Sequence, residues 1–170
     1  MEKFSNSITE LYQTAKAELS LFQLEKNEKT IAYFSQFPAI AGFPFRINLS
    51  QDSTGRIFSH FRQWDTAYDM KRWHRGIYNL SRLRIIAAER LLSESEVFNF
   101  QRVIIDLKNK TLPQKLHNDS AIVLDGVDWE LGITTENIHV HYKWRAATTE
   151  IDLFVPLIEL LLTLHPIKRN

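Results

Sequence analysis

Two stretches near the C-terminus alternate apolar and polar residues without a break. Val127, Trp129, Leu131 and Ile133 interleave with Asp128, Glu130 and Gly132, and Ile138, Val140, Tyr142 and Trp144 interleave with His139, His141 and Lys143. A period of two is that of a β-strand with one face buried and one wet. Thr134 to Asn137 supply a polar turn between them, and matching the apolar faces sets Leu131 opposite Val140, Trp129 opposite Tyr142, Glu130 opposite His141 and Asp128 opposite Lys143. Asp125-Gly126 is a hairpin dipeptide, so Ala121 to Leu124 is expected as a third strand, completing a three-stranded meander.

The rest of the chain is read against that meander. Phe45, Ile47 and Leu49 alternate with Arg46 and Asn48, QDSTG supplies turn chemistry, and RIFSHFRQW returns, predicting a second hairpin with both faces partly covered. Phe4, Ile8, Leu11, Tyr12, Ala15, Leu19 and Phe22 recur at steps of three and four, predicting a long N-terminal helix over about residues 3 to 25. A shorter helix is expected in TIAYFSQF before Pro38. Asp65 and Gly76 fit the start and end of a helical turn. Leu80, Leu83, Ile86, Ala87 and Leu91 suggest a further helix, followed by one opened by a capping box at Ser93 and Glu96. KNKTLPQKLHNDS reads as a surface connection. The last helix carries Leu153, Leu157, Leu160, Leu161 and Leu164, with Pro156 either in its first turn or at a kink. The expectation is one α+β domain spanning 1–170, an antiparallel sheet (hairpin plus meander) packed with several helices.

Composition narrows the function classes. With 44% apolar residues and only five Gly and five Pro in 170, the chain has the means to pack a core. No Cys means no disulfide, thiolate metal site or cysteine nucleophile. No run approaches the roughly 20 apolar residues of a membrane span, and the first residues lack the pattern of a secretory signal. The expectation is therefore a cytoplasmic protein with no membrane association. There is no G-x-S-x-G, H-E-x-x-H, G-x-G-x-x-G or phosphate-cradling loop, so no catalytic residue and no cofactor is expected.

Charge is more informative than motif. Between Arg56 and Arg90 seven Arg and one Lys stand against three acids, an excess of five positive charges in a chain whose net charge is +1. Trp64, Tyr68, Trp73 and Tyr78 interleave with this stretch. Trp, Tyr and Arg together are the composition of a protein-binding hot spot, and Trp64, Tyr68, Arg72, Trp73 and Arg75 are the candidate contacts, with the polar strand face of Glu130, His139 and His141 as a second patch. The same stretch, through Arg62, Lys71, Arg72, Arg75, Arg82 and Arg84, is the raw material of a nucleic-acid-binding groove. A third alternative is a metal-dependent enzyme: His139 and His141 share a strand face, and Glu130 across from them would complete a three-ligand site. The competing explanation of those histidines is a solvated strand face, and no metal is expected there.

The string LDGVDWEL, a polar turn, a strand ending in Lys143-Trp144 and a leucine-rich terminal helix with Glu150 and Glu159 together resemble a pattern in small bacterial cytosolic proteins. These include immunity proteins of polymorphic-toxin and contact-dependent inhibition systems. The resemblance covers about residues 121 to 164. It implies a non-catalytic protein that binds and occludes a cognate toxin. Immunity proteins that oppose nucleases tend to be strongly acidic, which this chain is not, so a nuclease partner is not implied.

Overall fold

The computed structural model describes residues 8–21, 24, 27–38, 43–77, 83–114, 116, 126–145 and 148–165. Six strands form one antiparallel sheet: β1 (Lys29–Pro38), β2 (Phe45–Gln51), β3 (Ile57–Trp64), β4 (Ile85–Leu91), β5 (Val127–Thr134) and β6 (His139–Trp144), in the spatial order β4-β3-β2-β1-β5-β6. Helices α1 (Ile8–Ser20), α2 (Thr66–His74), α3 (Glu94–Lys108) and α4 (Val155–Leu164) accompany it, α4 being preceded by a 3-10 turn over Thr149–Phe154. The α+β class holds, and both expected hairpins lie in the same sheet, joined through β1.

That joining strand is the main correction. TIAYFSQF is β1, not a helix, and it pairs with β2 on one side and β5 on the other. Ile31, Phe34 and Phe37 stand three apart and imitate helical spacing. The bulge between Thr30 and Ala32 breaks the strict period of two, and a strand covered on both faces has no reason to show alternation. The expected helix over Leu80–Leu91 is likewise corrected: Ile85–Leu91 is edge strand β4, paired with β3 from Phe58↔Leu91 to Trp64↔Ile85. Ala87, Ala88, Glu89 and Arg90 favour helix locally, but the open edge of β3 supplies a full row of backbone partners, and context outweighs propensity in a strand.

Helix α1 ends at Ser20, short of residue 25. The Ser20 hydroxyl donates to Lys16 O at 3.0 Å, and Leu21 N reaches back to Glu18 O rather than continuing the helix. Residues 3–7 lie outside the described residues, as does the expected strand Ala121–Leu124. Other local signals are met. Asp65 accepts from Tyr68 N at the start of α2, and Gly76 follows its end at φ 77°. Ser93 and Glu96 form the capping box of α3. Pro156 sits in the first turn of α4, where it costs no hydrogen bond. The connection after α3 is only partly a surface segment, since Leu116 is buried and Tyr142 Oη donates to Pro113 O at 2.6 Å.

The sheet has one apolar and one polar face. Phe34, Ile47, Leu49, Phe61, Leu131 and Ile133 pack against Phe100, Ile104 and Leu107 of α3 and Leu157 and Leu161 of α4 in the main core. The opposite face carries a smaller apolar cluster, Leu11, Ala15 and Leu19 of α1 with Phe37 and Trp64. The β5–β6 register lies two residues from the expected one: Leu131 pairs with Tyr142, Trp129 with Trp144 and Glu130 with Lys143. The turn is Thr135 to Ile138, closed by Thr135 N on Ile138 O and by Ile138 N on the Thr135 hydroxyl. A shift of two keeps every side chain on its expected face.

No helix among the described residues is long and apolar enough to cross a membrane.

Candidate functional sites on helix α2 and the polar sheet face

Helix α2 carries the aromatic and arginine-rich segment. Trp64, immediately before it, is fully buried, its indole N–H donating to Asp69 Oδ2 at 2.8 Å while Tyr12 meets its ring edge-on. It is therefore a core residue and offers no contact to a partner. Asp69, also buried, accepts in addition from Arg84 N at 2.8 Å and from Arg72 Nη1 at 3.0 Å. One carboxylate thus fixes Trp64, the entry to β4 and an α2 arginine.

The remaining residues of this patch are reachable. Tyr68 is 43% exposed, with the Arg84 guanidinium 4.6 Å and the Arg72 guanidinium 5.7 Å from its ring centre. Arg75 and Ile77 are exposed, and Trp73 is half-buried against the α1 cluster. Five arginines of the basic stretch are engaged in ion pairs, while Lys71 and Arg75 are exposed. Arg56 pairs with Asp52, Arg62 with Glu18, Arg72 with Asp69, Arg84 with Asp65 and Arg90 with Glu96. Tyr78 and Arg82 lie outside the described residues.

On the polar sheet face, cross-strand pairing places Arg62, Arg46, Ser35, Glu130 and Lys143 in one row and Glu89, His60, Asn48, Tyr33, Gly132 and His141 in the next. Glu130 is buried rather than wet as the alternation suggested, because Lys16 of α1 comes down over β5. Its carboxylate has Lys143 at 3.2 Å, Lys16 at 3.7 Å and Arg46 at 3.8 Å. Arg46 also lies over the Tyr33 ring, 3.8 Å from its centre, and burial lowers its pKa. Burial likewise raises the Tyr33 phenol, against a smaller lowering by Arg46. Tyr33 lies flat across β5 because residue 132 is glycine: a Cβ there would stand 2.2 Å from its ring. Ser35 Oγ and Asn48 Nδ2 are buried with no protein hydrogen-bond partner among the described residues. Each such group costs about 1–3 kcal/mol unless solvent reaches it.

The three-ligand set of the third alternative, His139, His141 and Glu130, does not assemble. His139 and His141 are both exposed on β6, His141 next to the Tyr33 ring, while Glu130 is held by cations. Among the described residues, the group whose donor atoms converge is instead Glu28, His60 and Glu89. His60 is 6% exposed, with Nε2 3.2 Å from Glu28 Oε2 and Nδ1 3.3 Å from Glu89 Oε2. Ser50 donates its hydroxyl to Glu28 Oε2 at 2.6 Å and lies 2.7 Å from His60 Nε2. Sequence reasoning missed this group because its members come from the approach to β1, from β3 and from β4, which are far apart in the chain, and because β1 and β4 carry helix-like spacing.

No protein-family model matches the chain, and a search of the curated proteins finds no similar sequence.

Proposed function

We propose that this chain is a non-catalytic protein-binding protein of immunity type, which blocks a cognate toxin domain by steric occlusion, with α2 as the contact surface. The supporting observation is Tyr68, an exposed aromatic flanked by the Arg72 and Arg84 guanidiniums and followed by exposed Arg75 and Ile77. A rigid aromatic ringed by arginines is the composition that carries most of the energy in protein interfaces. The internal pairing of five arginines weighs against the alternative of nucleic-acid binding. Of the cations named for that groove, Arg62, Arg72 and Arg84 would first have to leave Glu18, Asp69 and Asp65 to reach phosphate.

The experiment is co-expression with the product of the adjacent open reading frame, scored by growth and by co-purification. Protection by the native chain and its loss in Tyr68→Ala and Arg84→Ala, with folding intact, support the proposal. A neighbour that is not toxic, or protection indifferent to both substitutions, refutes it. Retention on heparin that persists at physiological salt would favour nucleic acid instead.

A further inference from the structure

We infer that Glu28, His60 and Glu89 form a binding site for a first-row transition-metal dication of the zinc class. The case begins with charge. The Glu28 side chain is 4% exposed, and among the described residues neither it nor Glu89 ion-pairs with any lysine or arginine; their nearest partner is the His60 imidazole. A carboxylate this deeply buried needs a positive charge beside it, and a dication held between Glu28, His60 and Glu89 would supply it.

Geometry agrees. Around a tetrahedral ion with bonds of about 2.0–2.1 Å, donor atoms stand about 3.3 Å apart. Here Glu28 Oε2 lies 3.2 Å from His60 Nε2, Glu89 Oε2 faces the other ring nitrogen, Nδ1, at 3.3 Å, and one donor atom from each of the three residues lies within 4.8 Å of the others. The set closes by movement of Glu89, the member on an edge strand with its side chain 56% exposed. The Ser50 hydroxyl, which donates to Glu28 and lies 2.7 Å from His60 Nε2, holds the two buried members side by side, and an ion on Nε2 would take the place of its contact with the imidazole. A cleft of about 580 Å³, lined in part by Glu18, His60, Arg62 and Glu89, opens onto two of the three members. One imidazole with two carboxylates suits zinc, manganese or iron better than magnesium or calcium, which prefer all-oxygen sites. Three protein ligands leave a position open, as in metal sites that bind a further molecule.

The test is a zinc titration of the full chain in a His139→Ala/His141→Ala background, so that the exposed imidazoles of β6 do not score. It is read by competition with a chromophoric chelator at pH 7.5. The expected result is one zinc per chain. His60→Ala should weaken it by more than the roughly 10–100-fold typical of outer-shell losses. Because His60→Ala removes a buried group, Glu89→Gln serves as the second variant: it alters an exposed side chain and should weaken zinc at least about tenfold with an unchanged circular dichroism spectrum. No zinc bound with zinc in excess over the chain, or binding unchanged in both variants, overturns the inference. The failure of toxin protection by Tyr68→Ala is independent of either outcome.

Discussion

Replacing Gly132 by alanine is ordinarily favourable in a strand, because it restricts the unfolded chain and gains about 0.4–1 kcal/mol where the backbone accepts a side chain. Gly132 is not at positive φ, so its backbone accepts one. The obstacle is Tyr33: the new Cβ would stand 2.2 Å from Cε1, 2.7 Å from Cζ and 2.8 Å from Cδ1. The ring has to lift off β5, which breaks its stack with Arg46 and disturbs the buried Glu130 network. Forcing an extra methyl into packed space costs about 1–3 kcal/mol, and the lost cation–π contact falls within that range. The net expectation is a destabilisation of about 1–2 kcal/mol, which for a chain of this size lowers Tm by roughly 2–8 °C. Thermal unfolding by circular dichroism measures it. The double variant Gly132→Ala/Tyr33→Ala should show favourable coupling, the second substitution costing less in the presence of the first. A rise in Tm on Gly132→Ala, or strict additivity in the double variant, would refute the stacked arrangement of Gly132, Tyr33 and Arg46.

Further expectations concern the supports of the fold. Asp69→Ala leaves the Trp64 indole N–H and the Arg84 amide without their acceptor; urea denaturation should show a loss of about 2–6 kcal/mol, from one buried and one part-buried donor at about 1–3 kcal/mol each. Arg90 donates to both Glu96 oxygens and to Leu164 O, tying β4 to the start of α3 and the end of α4. Arg90 foremost, with Ser93, holds the Glu96 carboxyl at about 2, below its ordinary 4.5. A carboxyl lowered on folding stabilises above its unfolded pKa and loses that contribution as pH falls from about 4.5 towards 2. Glu96→Gln should flatten the pH dependence of urea stability across that interval; a variant that keeps the native slope contradicts the assignment. His165, stacked on Phe61 and bonded to Ser59, has its pKa lowered, mainly by burial. Its contribution is present above pH 6.5 and is lost as pH falls below it, so His165→Gln should narrow the stability difference between pH 7.5 and 5.5.

Legibility followed how many faces of an element are covered. Strand β6 is an edge with one wet face, and His139, Val140, His141, Tyr142, Lys143 and Trp144 alternate in burial as they do in sequence. In β5 the polar positions Glu130 and Gly132 are buried as well, so its alternation located the strand but misjudged its environment. Strand β1, central and covered on both sides, shows no alternation at all, and its aromatic residues at steps of three suggested a helix. Caps were legible because they are local: Asp65 with Tyr68, and Ser93 with Glu96, are three residues apart. The polar sheet face was not legible, because its rows join residues from five or six strands, and no local pattern announces that Asn48 will stand opposite His60. Of the proposed contact residues, Tyr68, Arg72 and Arg75 follow from α2, whereas the aromatic character that singled out Trp64 reflects its place in the core.

The rows of the polar sheet face, and the main core behind them, depend on β1 lying between β2 and β5. Inter-strand nuclear Overhauser effects in the isotope-labelled protein test that placement directly. The expected result is a set of backbone contacts linking Phe34 to Ile47 on one side and to Leu131 on the other, as the register requires. Sequential i to i+3 contacts within residues 30–37, with no contact to either neighbour, would contradict it.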